Sequence, residues 1–144
     1  MSNHHLDTVG YWAEPKLLIL EEYAKASAQV LKDQPFIKHI AYIDAFAGAG
    51  THVSKTTGEL IHGSPARALA IRPRFTYHHF IEMEGTRARR LRQTNPQPDV
   101  TVCQGDCNEI LLGEVFPECR YEDFRRPLPA QDQSARGRRR SRDL

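Results

Sequence analysis

Cysteine is scarce in this chain: three residues, an odd number, supply no disulfide framework and fit a reducing cytosol better. No apolar run approaches the roughly 18 residues that span a bilayer, so no membrane association by a spanning helix is expected. The opening Met1-Ser-Asn-His-His-Leu-Asp7 lacks the basic and apolar regions of an export signal, and a cytoplasmic location is expected. At 144 residues there is room for one core and not for two full domains.

What is present is unevenly distributed. Seven Arg against Asp132 and Asp143 give residues 125–144 a net +5, so the other 13 basic and 16 acidic side chains leave 1–124 at −3. The same stretch has only Leu128, Ala130, Ala135 and Leu144 as hydrophobic residues. Periodicity stops at Arg126, and Pro, Gln, Ser, Gly and Arg take over, a composition that cannot bury enough apolar area to offset its ordering entropy. The expected organisation is an N-terminal extension (1–14), a partial α/β domain (15–126) and a basic, disordered tail (127–144).

Within the domain, Pro15 suits the first helical position, and Leu17, Leu20, Ala24, Ser27 and Leu31 follow helical spacing, predicting a helix over 15–32. His39-Ile-Ala-Tyr-Ile-Asp-Ala-Phe46 is a β-rich run closed by Ala47-Gly48-Ala49-Gly50. Residues 51–62 read as polar loop. Ser64-Pro65 supplies an N-cap and an N1 proline for a helix through Arg72. Thr76 to Glu82 is a second strand, Gly85 to Thr94 a helix, Asp99 to Cys103 a third strand, and Asn108 to Val115 a short helix. Strands alternating with helices predict a parallel sheet with helical crossovers, the N-terminal half of a doubly wound, Rossmann-like sheet with a leading helix.

Chemistry concentrates at the carboxyl ends of those strands, where open α/β sheets bind ligands. Gly48 and Gly50 let a backbone approach a bulky nucleoside, with Asp44 beside them. Glu82, ending the next strand, suits both ribose hydroxyls, and Asp106, past the third, lies on the adenine side. The plainer alternative is that the glycines only turn the chain and the carboxylates only face solvent. A dinucleotide fingerprint needs a third glycine where Val53 stands and a helix opening at once, whereas the next helix waits until Ser64. Ala49-x4-Ser54-Lys55-Thr56 has a phosphate-loop outline without its glycines. A cofactor without phosphate, such as S-adenosylmethionine, suits this turn better.

The motifs Lys16-Leu-Leu-Ile-Leu-Glu-Glu-Tyr23, Tyr42-Ile-Asp-Ala-Phe-Ala-Gly-Ala-Gly50, Gly63-Ser-Pro-Ala-Arg-Ala-Leu69 and Phe80-Ile-Glu82 resemble those of the three-Cys-motif partner (TcmP) family, bacterial proteins with a methyltransferase-like domain. The resemblance covers about residues 10–126. It implies S-adenosylmethionine as cofactor, held by Asp44, Phe46, Gly48, Gly50, Glu82 and Asp106, and a partner protein of the three-Cys-motif type. It also implies a fourth strand ending Asp-Pro-aromatic-Gly, where this chain reads Pro127-Leu-Pro-Ala-Gln-Asp-Gln-Ser134. A truncated or frameshifted product, inactive alone, is therefore expected, with its first strand left as an exposed edge prone to aggregation. No residue offers itself as a catalytic base. The alternative function is a non-enzymatic scaffold that binds a partner protein, with the leading helix as one contact.

Weaker signals are read structurally. Cys103-x3-Cys107 with Cys119 has too few ligands for a structural zinc, and a radical-type cluster would need cysteine where Ile110 stands. His78 and His79 alternate on one strand, one expected inward and one outward. His52 and His62 flank the loop over the proposed site and could touch substrate, though solvated loop histidines are commoner. Arg87, Arg89, Arg90 and Arg92 read as a solvated helix face. Arg136 to Arg142 could bind nucleic acid without specificity, though an out-of-frame tail carries no such role.

Overall fold

The structure, a computed structural model, describes residues 8–10 and 12–118. Cys119, the sequence from Arg120 through the Arg-rich tail, and His4 and His5 lie outside the described residues, as does the expected site of a fourth strand. The elements run β1 (Thr8–Val9), α1 (Ala13–Lys32), β2 (Ala41–Asp44), β3 (Thr51–Ser54), β4 (Leu60–His62), α2 (Ser64–Ala70), β5 (Tyr77–Glu82), α3 (Gly85–Thr94) and β6 (Val100–Gln104). After β6 comes α4 (Cys107–Ile110), prolonged by a π-helical turn (Leu111–Val115) and a last turn at Phe116–Glu118.

Strands β2, β5 and β6 form an all-parallel sheet in that order, with Asp44 opposite Phe80 and Glu82 opposite Gln104. The mixed α/β class expected from the alternation is what forms. Because strand side chains alternate, the sheet has two apolar faces. On one, Phe80, Val100 and Val102 meet Ala68 of α2 and Ala88 and Leu91 of α3. Beside them, Ala24 and Ala28 of α1 pack on Ile71 and Phe75. On the other, Ile81, Ile43 and Cys103 meet Ile110, Leu111 and Val115 of the last helix. Helices therefore cover both faces, α2 and α3 together on one and α4 on the other. Among the described residues β2 pairs only with β5, leaving its second edge open.

Covering both faces changes the fate of the paired histidines. His78 and His79 do point to opposite faces, yet both are buried, so neither is the outward residue that alternation suggested. The expected polar loop at 51–62 is also different: β3 and β4 form an antiparallel hairpin, turned at Gly58 with φ of +73°, and β1 lies parallel to β3. Two caps shift by a residue or two. Helix α1 begins at Ala13, so Pro15 sits within its first turn, where N–H groups have no intrahelical partner. Gly63 rather than Ser64 caps α2, which frees the Ser64 hydroxyl for another role.

Among the described residues, no helix is long and apolar enough to cross a membrane.

Candidate functional site

The carboxyl end of the three-strand sheet gathers the acidic residues that the sequence singled out. Asp44 closes β2, Glu82 closes β5, and Asp106 follows β6 after Gly105. Parallel pairing is what brings them to one edge, since each strand ends in the same direction.

Glu82 is the centre of this edge. The residue is 8% exposed, with Oε2 accepting the Gly48 N–H at 2.8 Å and Oε1 accepting the Glu84 N–H at 2.9 Å. The carboxylate ending β5 is thus aimed across at the glycine loop leaving β2. The Ala47 N–H donates to the Ile81 carbonyl at 3.0 Å, extending the same tie by one residue. An ionised carboxylate has about four lone-pair positions, so two acceptor sites remain beyond the two used. Among the described residues, no cation pairs with Glu82 or Asp44.

Asp44 holds the start of the loop. Oδ1 accepts the Phe46 N–H at 3.1 Å, and Oδ2 accepts the Ser64 hydroxyl. This second bond joins β2 to the first residue of α2 and explains why Ser64 does not cap its own helix. Phe46 stands 80% exposed at the rim. Asp106 caps α4, with Oδ1 accepting the Asn108 N–H at 2.9 Å. Glu84 caps α3 by accepting from the Thr86 and Arg87 N–H groups, and those bonds hold its carboxyl below the usual range. Tyr42, on the strand before Asp44, has its hydroxyl pushed up to about 12 by burial, reinforced by the Asp44 charge.

The glycines serve a need the sequence reading did not assign. Gly48 and Gly50 have φ of +71° and +89°, a region that side chains resist. A Cβ at Gly48 would lie 3.4 Å from the His52 ring, and one at Gly50 would lie 3.2 Å from Leu91 Cδ1. The same His52 ring would sit 2.7 Å from a Cβ at Gly63. The space freed by the missing side chains is therefore filled by the protein itself. His52, expected in solvent, is packed against both glycine segments, and the Gly63 N–H donates to the Gly50 carbonyl at 2.9 Å to lock them together. His62 faces outward as expected. The signal for His52 lay in its position two residues past a glycine turn, on a strand too short for its alternation to be read.

Other candidates resolve without joining this edge. Cys103 and Cys107 pack with Ile81 and Ile110. Arg92, part of the run read as a solvated face, turns back so that its guanidinium donates to the Val102 carbonyl at 3.1 and 3.2 Å. At the opposite, amino end of the sheet, Arg74 clamps Asp99 through Nε at 3.0 Å and Nη2 at 2.7 Å. His78 Nδ1 stands 3.3 Å from the same carboxylate oxygen. Burial, with Arg74 adding and Asp99 opposing, depresses the His78 imidazole from 6.5 to about 4.

Compared with protein-family models, with curated proteins and with solved structures, the chain matches none of them.

Proposed function

We propose that this chain is a Rossmann-like, methyltransferase-type protein of the three-Cys-motif partner kind, whose carboxyl strand edge takes the nucleoside of S-adenosylmethionine. The observation that carries the reading is the Glu82 carboxylate, held against the Gly48 N–H with two acceptor positions left for a ribose diol. Hydroxyl donors suit it well, because it is buried and, among the described residues, no cation competes for those lone pairs. Asp106 keeps one oxygen outside its cap for the adenine side, and the exposed Phe46 ring offers a face on which a base can stack. Asp44 has a positioning role: through Ser64 and the Phe46 N–H it fixes the loop on which these groups stand.

The placement of the helices supports the same reading. The crossovers from β2 to β5 to β6 place α2 and α3 on one face, as connections of the usual right hand would. A right-handed connection from α4, on the other face, would return past β2 and reverse the strand order there. Ligands of open α/β sheets sit at such reversals, outside the carboxyl ends of the strands.

Bound S-adenosylmethionine supplies a methyl group on a sulfonium that is already activated to leave. The residues at this edge orient and exclude water, and none of them is placed as a base, so turnover by this chain alone is expected to be slight. Isothermal titration with S-adenosylmethionine tests the reading. Binding by the wild type, weakened about tenfold or more in Glu82→Gln while the thermal transition persists, is the expected result. No heat from the wild type at ligand concentrations up to about 1 mM would overturn it.

A second reading, a scaffold that binds a partner protein of the three-Cys-motif type without turning over a cofactor, is favoured by one observation. The space at Gly48 and Gly50 that a nucleoside would otherwise use is occupied by His52 and Leu91. Silence in the titration from both wild type and Glu82→Gln would favour it.

A further inference from the structure

Helix α1 is apolar on two sides, and one of them packs against the described residues. Leu17, Glu21, Ala24 and Ala28 face the body of the protein, where Ala24 and Ala28 are buried and Glu21 pairs with Arg67 at 2.7 Å. On the opposite side Ile19, Tyr23 and Val30 stand 70%, 72% and 61% exposed, with Ala26 between them. The steps 19, 23, 26 and 30 alternate four and three residues, the 3.5-residue seam by which one helix packs lengthwise on another. Continuing the same seam outward reaches Lys16 at one end and Asp33 at the other, both exposed.

We propose that this seam pairs with the same seam of a second copy, with the two α1 helices antiparallel. The arrangement follows from charge and size along the seam. In an antiparallel pair centred between residues 24 and 25, Ile19 meets Val30 of the other copy and Tyr23 meets its Ala26. The largest side chain faces the smallest, as close packing of a helix pair requires. Lys16 then meets Asp33 of the other copy at both ends of the interface, closing a stretch of about 25 Å. A parallel pair would instead set Lys16 against Lys16 and Asp33 against Asp33, each repulsive. The seam is self-complementary in one direction only, which is the signature of a two-fold interface. Asp33 is held for this by Gln29, whose Nε2 donates to its Oδ2 at 3.1 Å. The proposal is independent of the carboxyl-edge site, because α1 offers the seam on its side away from the sheet.

Sedimentation velocity on the full chain at low salt, up to about 100 μM, reads the outcome directly and detects a dimer of micromolar affinity. The wild type is expected to dimerise and Ile19→Glu to be monomeric with unchanged helical circular dichroism. Lys16→Glu and Asp33→Lys are each expected to weaken the dimer about tenfold, and the two together to restore it, because the double reversal re-forms both end pairs. A wild type that stays monomeric, a dimer that survives Ile19→Glu, or a double reversal that fails to restore association would each overturn the proposal. The first two would leave the seam to a different occupant, and the third would remove the antiparallel register.

Discussion

The two ends of one sheet treat their carboxylates differently. At the amino end Asp99 is clamped by the Arg74 guanidinium and touched by His78, so its charge is answered by another charge. At the carboxyl end, among the described residues, Glu82 and Asp44 are answered by neutral donors, the N–H groups of Gly48, Glu84 and Phe46 and the hydroxyl of Ser64. A carboxylate neutralised by arginine has little left to offer a ligand, and its removal is felt as lost stability. One held by backbone N–H groups keeps part of its acceptor capacity, at a place where strands end and loops begin. The amino end pairs its carboxylate with a cation, while the carboxyl end holds its carboxylates with neutral donors, the difference on which the proposed site rests.

Several substitutions would break or sharpen that contrast. The largest effect lies between the ends: Phe80, fully buried, joins α2 and α3 to the sheet, and Phe80→Ala should cost about 4 kcal/mol in denaturant unfolding, affecting both ends alike. A smaller effect belongs to the amino end and to acid. His78 is neutral in the fold, with its pKa lowered from 6.5 to about 4, whereas the unfolded chain takes up a proton near 6.5. Stability should therefore be complete above about pH 6.5 and fall as the pH drops to about 4, by up to about 3 kcal/mol, and then level off. Chemical unfolding measured across that range checks it, and His78→Leu should flatten the profile.

Arg74→Leu sharpens the point further. It strips Asp99 of its clamp, at a cost of about 2 kcal/mol near neutral pH. It also removes the cation that helps depress His78, so the acid-induced loss should shrink and end at a higher pH. The smallest stability effect is expected at the carboxyl end. Ser64→Ala removes one bond from a partly exposed Asp44 whose other oxygen still accepts from Phe46, and should cost no more than about 1 kcal/mol by thermal melting. A Ser64→Ala loss exceeding that of Arg74→Leu would invert the comparison.

Much of this layout was legible in the residues. β2, β5 and β6 are announced by apolar β-branched and aromatic runs between glycine and proline breaks, and the three acidic strand ends follow from the parallel order alone. The hairpin at 51–62 was not legible, because Thr51-His-Val-Ser54 and Leu60-Ile-His62 are short and mixed, and their pairing is set by where the chain must go between Gly50 and Gly63. The burial of both His78 and His79 depends on helices arriving from distant sequence to cover each face. Ser64 looked like a helix cap because serine before proline so often is one. Its hydroxyl turns to Asp44 because Gly63 takes the cap and β2 ends within reach. Local chemistry was readable, and the choice between two local partners was not.

Amide-resolved NMR during titration with S-adenosylmethionine tests the central claim most directly. The Gly48 and Glu84 N–H groups donate to Glu82, so a ribose reaching that carboxylate should shift both signals, while the Val100 and His78 amides at the amino end stay in place. Shifts confined to the amino end, or none at all with the ligand at about 1 mM, would contradict it.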